Sequence, residues 1–228
     1  MIKKIYINPG HSDKDPGAVG FETERNLNVK TANYMNEYLL ANYDCQTRVT
    51  AGSVNSTATV AAEANNWGAD LLVSIHNNAG GGDGYEALVY SEKRKALGQI
   101  FEKYVKAIGQ NSRGVKLRPE LGVLRLSNMP AVLNEGAFVD NKKDIQDWDE
   151  DHELKKLGEA YAKAAAEYLG LEKKVSAPAP VPVPVPAPDE LDVLYRVQVF
   201  AGSKSGAEAM QKKLKAAGFD SVIVAVKN

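Results

Sequence analysis

Residues Leu71 to Ala79 read LLVSIHNNA. An apolar run interrupted only by Ser74 climbs to His76, and the chain then turns into Asn77, Asn78 and a series of glycines. A short apolar run bounded by turn residues predicts a strand buried on both faces, as in a parallel sheet. Such a strand delivers His76 to the edge of the core, where open α/β sheets keep their ligand sites. His11 follows another apolar strand, KKIYINPGH, in the same position relative to its turn. A third apolar run, in PAVLNEG, stops at Glu135. Three strands that end on metal-binding or acid–base side chains predict one convergent site. His152, in the charged stretch WDEDHELKK, reads as structural or exposed.

The chain has 228 residues, room for one large domain or a medium domain with a small one. Apolar residues make up 44%, enough for a packed core. No apolar run approaches the roughly eighteen residues of a membrane helix, so no membrane partner is expected. A formal net charge of −1 argues against nucleic acid bound through its phosphates. The start, MIKKIYINPGH, lacks the apolar stretch of a secretory signal, which predicts synthesis in the cytoplasm. Cys45 is the single cysteine, so no internal disulfide forms. Its alternation with Thr47 and Val49 reads as a buried strand thiol.

Strands are expected at Lys3–Asn8, Cys45–Val49, from Leu71, at Glu86–Tyr90 and at Ala131–Glu135. Helices are expected over Glu24–Asn42, Thr57–Trp67, Lys93–Ile108 and His152–Leu169, with loop and a short strand between Arg113 and Leu126. This alternation predicts an α/β fold with a mostly parallel sheet and helices on both faces. Residues 1–171 form that domain. Residues 172–190 contain APAPVPVPVPAP, which holds extended polyproline geometry and spaces roughly 35 Å at about 3.1 Å per residue. Residues 191–228 read as a small βαβ unit: a strand around Tyr195–Val199, a helix at Ser205–Ala217 and a strand at Ser221–Val226. That is too short for a core of its own, so it docks or pairs with a copy of itself. The spacer favours pairing.

Two histidines and one carboxylate with an open position are the ligand set of many catalytic zinc sites. His11 and His76 supply the imidazoles, and Glu22 and Glu24, in GFETERNL, are the carboxylate candidates. A bland reading stands beside this: a strand-end histidine is often a satisfied polar residue, and a carboxylate is favourable near any helix N-terminus. Glu135 is harder to explain away, because burying an unpaired carboxylate is costly. A free carboxylate is also what takes a proton from a metal-activated water.

In order and spacing, NPGHSDKDPGAVG, ETERNL, ADLLVSIHNNA, GYEALVY, NSRGVK, LGVLR and PAVLNEGAFVDNKKD resemble the zinc-dependent N-acetylmuramoyl-L-alanine amidases of the type 3 family, over about residues 2 to 170. The resemblance implies hydrolysis of the amide between N-acetylmuramic acid and the L-alanine of the stem peptide in bacterial peptidoglycan, with Zn2+ as cofactor. By motif position it implies His11, Glu22 and His76 as metal ligands, with Glu24 as the fallback, and Glu135 as the catalytic glutamate. Asn78 and Arg125, within two of the motifs, are the candidate substrate-binding residues. Two departures stand out: Ser12 replaces a second glycine after the first histidine, and TATVAAEANNW lacks an arginine before its Ala-Asn dipeptide.

The tail stretch YRVQVFAGS is similar to one half of a sporulation-related (SPOR-type) wall-binding repeat, with Phe200 and Gly202 in inverted order. The resemblance implies wall binding, and the missing half favours a homodimer through the tail. With no export signal in view, the enzyme is expected to reach the wall after release, as a phage endolysin or an autolysin. The competing readings are a zinc peptidase cutting within the stem peptide and a catalytically dead wall-binding protein.

Overall fold

The computed structural model describes residues 2–54 and 56–174, together with Gln211, Lys212 and Lys215. Six strands form one sheet in the order β2-β1-β3-β6-β4-β5. They are β1 (Lys3–Pro9), β2 (Cys45–Val49), β3 (Leu71–Asn78), β4 (Tyr85–Val89), β5 (Ser112–Leu117) and β6 (Ala131–Phe138). The helices are α1 (Glu24–Asn42), α2 (Thr57–Trp67), α3 (Lys95–Ala107), α4 (Gly122–Arg125), α5 (Lys142–Ile145) and α6 (Asp151–Leu169).

The sheet is mostly parallel, as the alternation predicts: β2, β1, β3 and β6 run together. The pair β4 and β5 is mutually parallel but runs against β6. Chain length explains the reversal. The link 79–84 after β3 is too short for a parallel crossover, which needs a dozen residues or more. The link from β4 to β5 contains α3 and restores a parallel pair.

Strand side chains alternate between the two faces. Ile5, Ile7, Leu71, Val73, Ile75 and Val132 pack with Leu27 and Met35 of α1, Phe101 of α3 and Leu157 and Tyr161 of α6. On the other face Tyr6, Leu72, Leu88 and Leu133 pack with Val60 and Ala64 of α2 and Val123 and Leu124 of α4. Two strand positions further along, this second face turns polar: Asn8 on β1, Ser74 and His76 on β3, Glu135 on β6 and Glu86 on β4. Asn8 Nδ2 donates to Ser74 Oγ at 2.8 Å, which settles two buried polar groups at the boundary.

The chain divides into two compact units, Met1–Val175 and Ser176–Asn228. The first unit is fastened at its end by Lys174 N–H donating to Asn42 O at 2.8 Å, at the close of α1. Gln211, Lys212 and Lys215 are helical, within the expected Ser205–Ala217 helix. The spacer, the two tail strands and the rest of that helix lie outside the described residues. Among the described residues no helix is long and apolar enough to cross a membrane.

Candidate active site

The sheet register assembles the site. β3 and β6 pair so that His76 and Glu135 stand side by side, and the turn after β1 carries Gly10 and His11 to the same end. The hydrogen-bonded strands outlast the apolar runs, β3 reaching Asn78 and β6 reaching Phe138, with a register shift after His76. The polar residues therefore sit within the last turns of the sheet, at its carboxyl end.

The carboxylate between the two imidazoles is Glu24. His11 Nε2 lies 2.9 Å from Glu24 Oε2, and His76 Nδ1 lies 2.9 Å from Glu24 Oε1. One ligand atom from each of these three residues falls within 4.8 Å of the others. Glu22, the carboxylate that motif counting favours, is outside this cluster. It belongs to the turn before α1, where its carbonyl accepts from Gly20 N–H at 3.0 Å. The reason lies in the helix. Glu24 opens α1 on the inward stripe that continues through Leu27, Asn28, Thr31 and Met35, all buried. Two residues earlier, Glu22 precedes the helix altogether.

Glu24 is 4% exposed. Besides the imidazoles it accepts from Ala18 N–H at 2.9 Å and from Asn77 N–H at 3.2 Å. Asn28, one turn along α1, donates to Glu24 at 3.4 Å and accepts from Asn77 Nδ2 at 2.9 Å. Burial works against the Glu24 charge, but the His11 and His76 hydrogen bonds overcome it and hold the carboxyl well below the usual carboxylate range. In return, the bond to Glu24 raises the His11 imidazole to about 9, with burial opposing and Asp15 adding. Asp15 Oδ2 lies 2.9 Å from His11 Nδ1 and fixes the ring from its far side, the arrangement by which carboxylates orient metal-binding histidines.

Two glycines make room for this packing. A Cβ on Gly10 would fall 2.2–2.5 Å from the His76 ring atoms. A Cβ on Gly17 would fall 2.5 Å from Glu24 Oε2, and Gly17 also has a φ of +70°. His11 itself has a φ of 65°, a left-handed conformation uncommon for a residue with a side chain and a recurrent form of strain at functional sites. Ser12, in the place of the second glycine, is buried and exchanges backbone hydrogen bonds with Asp15 at 3.0 and 3.1 Å, so the loop accommodates it.

Glu135 is held differently. Among the described residues its Oε2 is buried with no hydrogen-bond partner. Burial pushes its carboxyl up to about 7, with the charge on His76 opposing and those on Glu24 and Glu86 adding. Glu86 stands directly opposite on β4 and is itself buried, but Arg113 and Lys116 both donate to it. One carboxylate is compensated and its neighbour is not.

The remaining candidates separate. Asn78 ends β3 at the same end of the sheet as the cluster, and its Oδ1 accepts from Ala79 N–H at 2.9 Å. Arg125 lies elsewhere. It lines a cavity of about 380 Å³ with Tyr90, Arg94 and Ala131, and Ala131 begins β6, so this is the opposite end of the sheet from Glu135. In α2, which lacks that arginine, Asn65 donates to Leu126 O and accepts from Asn128 N–H, tying the helix to the loop after α4.

The donor chemistry fits a divalent ion. Two imidazole nitrogens and a buried carboxylate converge, and a further carboxylate oxygen close by lacks any partner. The profile of a family described as N-acetylmuramoyl-L-alanine amidase matches residues 5–167. The chain belongs to this family. It is 30% identical to the N-acetylmuramoyl-L-alanine amidase CwlM of Bacillus licheniformis over 97% of this chain and 84% of CwlM. It is 34% identical to the endolysin of Bacillus phage SPP1 over 76% of this chain and 69% of the endolysin. Among solved structures, the catalytic domain of the amidase CwlV from Paenibacillus polymyxa superposes with a TM-score of 0.71 at 27% identity, covering 75% of this chain and all of that domain.

Three supporting residues of this amidase escaped the sequence reading. Asn28 was legible in principle, since it lies four residues after Glu24 on the buried stripe of α1. Asn77 adjoins His76 but gives no sign of reaching back to Glu24. Asp15 sits in an irregular loop, and no periodicity marks it.

Proposed function

We propose that the chain hydrolyses the amide joining the lactyl group of N-acetylmuramic acid to L-alanine in bacterial peptidoglycan, with Zn2+ held by His11, Glu24 and His76 and with Glu135 as the proton carrier. The observation that carries this reading is the pairing in the sheet of an imidazole from the three-residue cluster with a buried, unpartnered carboxylate oxygen. Two nitrogens and one oxygen suit zinc better than the harder divalent ions. When bound, such an ion lowers the pKa of water towards about 7 and polarises a carbonyl oxygen.

The protein residues carry the remaining work. Glu24 contributes one negative charge, which offsets part of the charge of a divalent ion. Asp15, Asn28 and Asn77 hold the ligands in orientation. Glu135 Oε2, unused by any protein donor, accepts a proton from the attacking water and returns it to the amide nitrogen as the carbon–nitrogen bond breaks. The tail, residues 191–228, serves wall binding and self-association. Its resemblance to half of a wall-binding repeat supports this. The protein acts on the wall after release from the cell that makes it.

Mass spectrometry of fragments released from purified peptidoglycan tests the bond cut. Free muramic lactyl ends with intact stem peptides are expected, and cleavage inside the stem peptide would replace this reading with a peptidase. Comparing the solution mass of the full chain with that of a chain ending at Leu171 tests the tail. Identical monomers would remove self-association.

A further inference from the structure

The stretch NSRGVK forms the start of β5, and its Arg113 takes no part in the metal-binding cluster. Arg113 Nε donates to Glu86 Oε1, and the guanidinium carbon lies 5.1 Å from the centroid of the Phe138 ring. Among the described residues these are its contacts, so both terminal nitrogens keep their N–H donors free. Lys116 Nζ donates to the same Glu86 oxygen. One buried carboxylate thus holds two cations. Arg113 is 42% exposed and Glu86 5%. Neutralising Glu86 needs a single partner, and Lys116 provides it.

Glu86 stands across from Glu135, and Glu135 across from His76. Neighbouring strands lie about 4.8 Å apart, so Glu86, which holds the guanidinium, is about 10 Å from His76 across the sheet. An extended peptide rises about 3.3 Å per residue. A substrate with its scissile amide at His76 therefore brings its second or third residue within reach of Arg113. A guanidinium fork with free terminal donors matches a carboxylate, which it binds in bidentate fashion.

We infer that Arg113, held by Glu86 and Phe138, is a subsite for a substrate carboxylate carried by one of the two residues that follow the alanine of the stem peptide. This rests on the amidase reading given above. It makes the reversed strands β4 and β5 a specificity wall beside the hydrolytic centre.

The test uses the full chain and synthetic muramoyl tripeptides in matched pairs, carboxylate against carboxamide, varied at the first or at the second residue after the alanine. Wild type is expected to favour the carboxylate by about tenfold to a hundredfold in kcat/KM at one of the two positions, mainly through KM. Arg113→Gln is expected to bring that ratio to about one, and Arg113→Lys to leave an intermediate ratio. A ratio is independent of how much protein is folded, so partial misfolding does not mimic the result. Should Arg113→Gln not fold, the wild-type and Arg113→Lys ratios decide. Equal wild-type rates on both members of both pairs, or a ratio unchanged in the variants, overturns the inference while leaving the amidase reading intact. Failure to cut any muramoyl peptide overturns the amidase reading itself.

Discussion

One face of the sheet has two ends with opposite characters. At one end Tyr6, Leu72, Leu88 and Leu133 are sealed beneath α2 and α4. Two to four residues further along the same strands stand Asn8, Ser74, His76, Glu86 and Glu135; Asn8 donates to Ser74, and the strand register sets Glu135 between His76 and Glu86. The backbone is continuous and the pleat unchanged between them. What differs is the use of burial: the apolar end excludes water to stabilise the fold, and the polar end excludes it to sharpen charges. An unpartnered carboxylate is tolerated beside His76 because the packed end supplies the stability that it costs.

The contrast can be broken first at the polar end. Dialysis of the full chain against a chelator should abolish wall lysis, and added zinc should restore it; full lysis by metal-stripped protein would remove the metal from the reading. Glu135→Gln should lower the lytic rate by about 10²–10⁴-fold, the usual weight of a general base, with the melting temperature little changed. Equal lysis would strip Glu135 of its role. At the apolar end the pattern should invert. Leu72→Ala removes a fully buried side chain and should cost about 2–5 kcal/mol, seen as a lower thermal midpoint, with activity per folded molecule retained.

Two smaller effects sharpen the boundary. Gly10→Ala forces a methyl against the His76 ring, so zinc affinity measured by competition with a coloured chelator should fall by about 10–100-fold, as for lost orientation of a ligand. Unaltered affinity would show that the ring moves aside freely. The smallest concerns acid. Burial raises the Glu86 carboxyl, but Lys116 and Arg113 outweigh it and hold the group below its ordinary value. The unfolded chain then binds the extra proton first, so this contribution is present above about pH 4.3 and fades as pH falls through the lower folded value. Glu86→Gln should flatten the acid limb of a stability–pH curve. An unchanged limb would show that other carboxylates govern it.

Much of this was legible because it is local. LLVSI, KKIYI and PAVL are too apolar and too short for anything but buried strands, and each runs to a polar residue that such a strand leaves at an edge. His11, His76 and Glu135 were named on that ground. Motif position favours Glu22 with Glu24 as the fallback, because it marks the approach to α1; the helical stripe through Leu27 and Asn28 instead sets Glu24 between the two imidazoles. Arg125 was misplaced for another reason. A motif carries no information about which end of the sheet its helix will cap, and α4 caps the start of β6.

Taken alone, the chain determined its alternating elements, its buried strands, and the residue types that one end of the sheet would bring together. Only the tertiary structure decided that β6 inserts between β3 and β4, which sets Glu135 against His76 on one side and Glu86 on the other. Strand order and register are choices between distant segments, made by the packing of whole faces, and no local pattern encodes them.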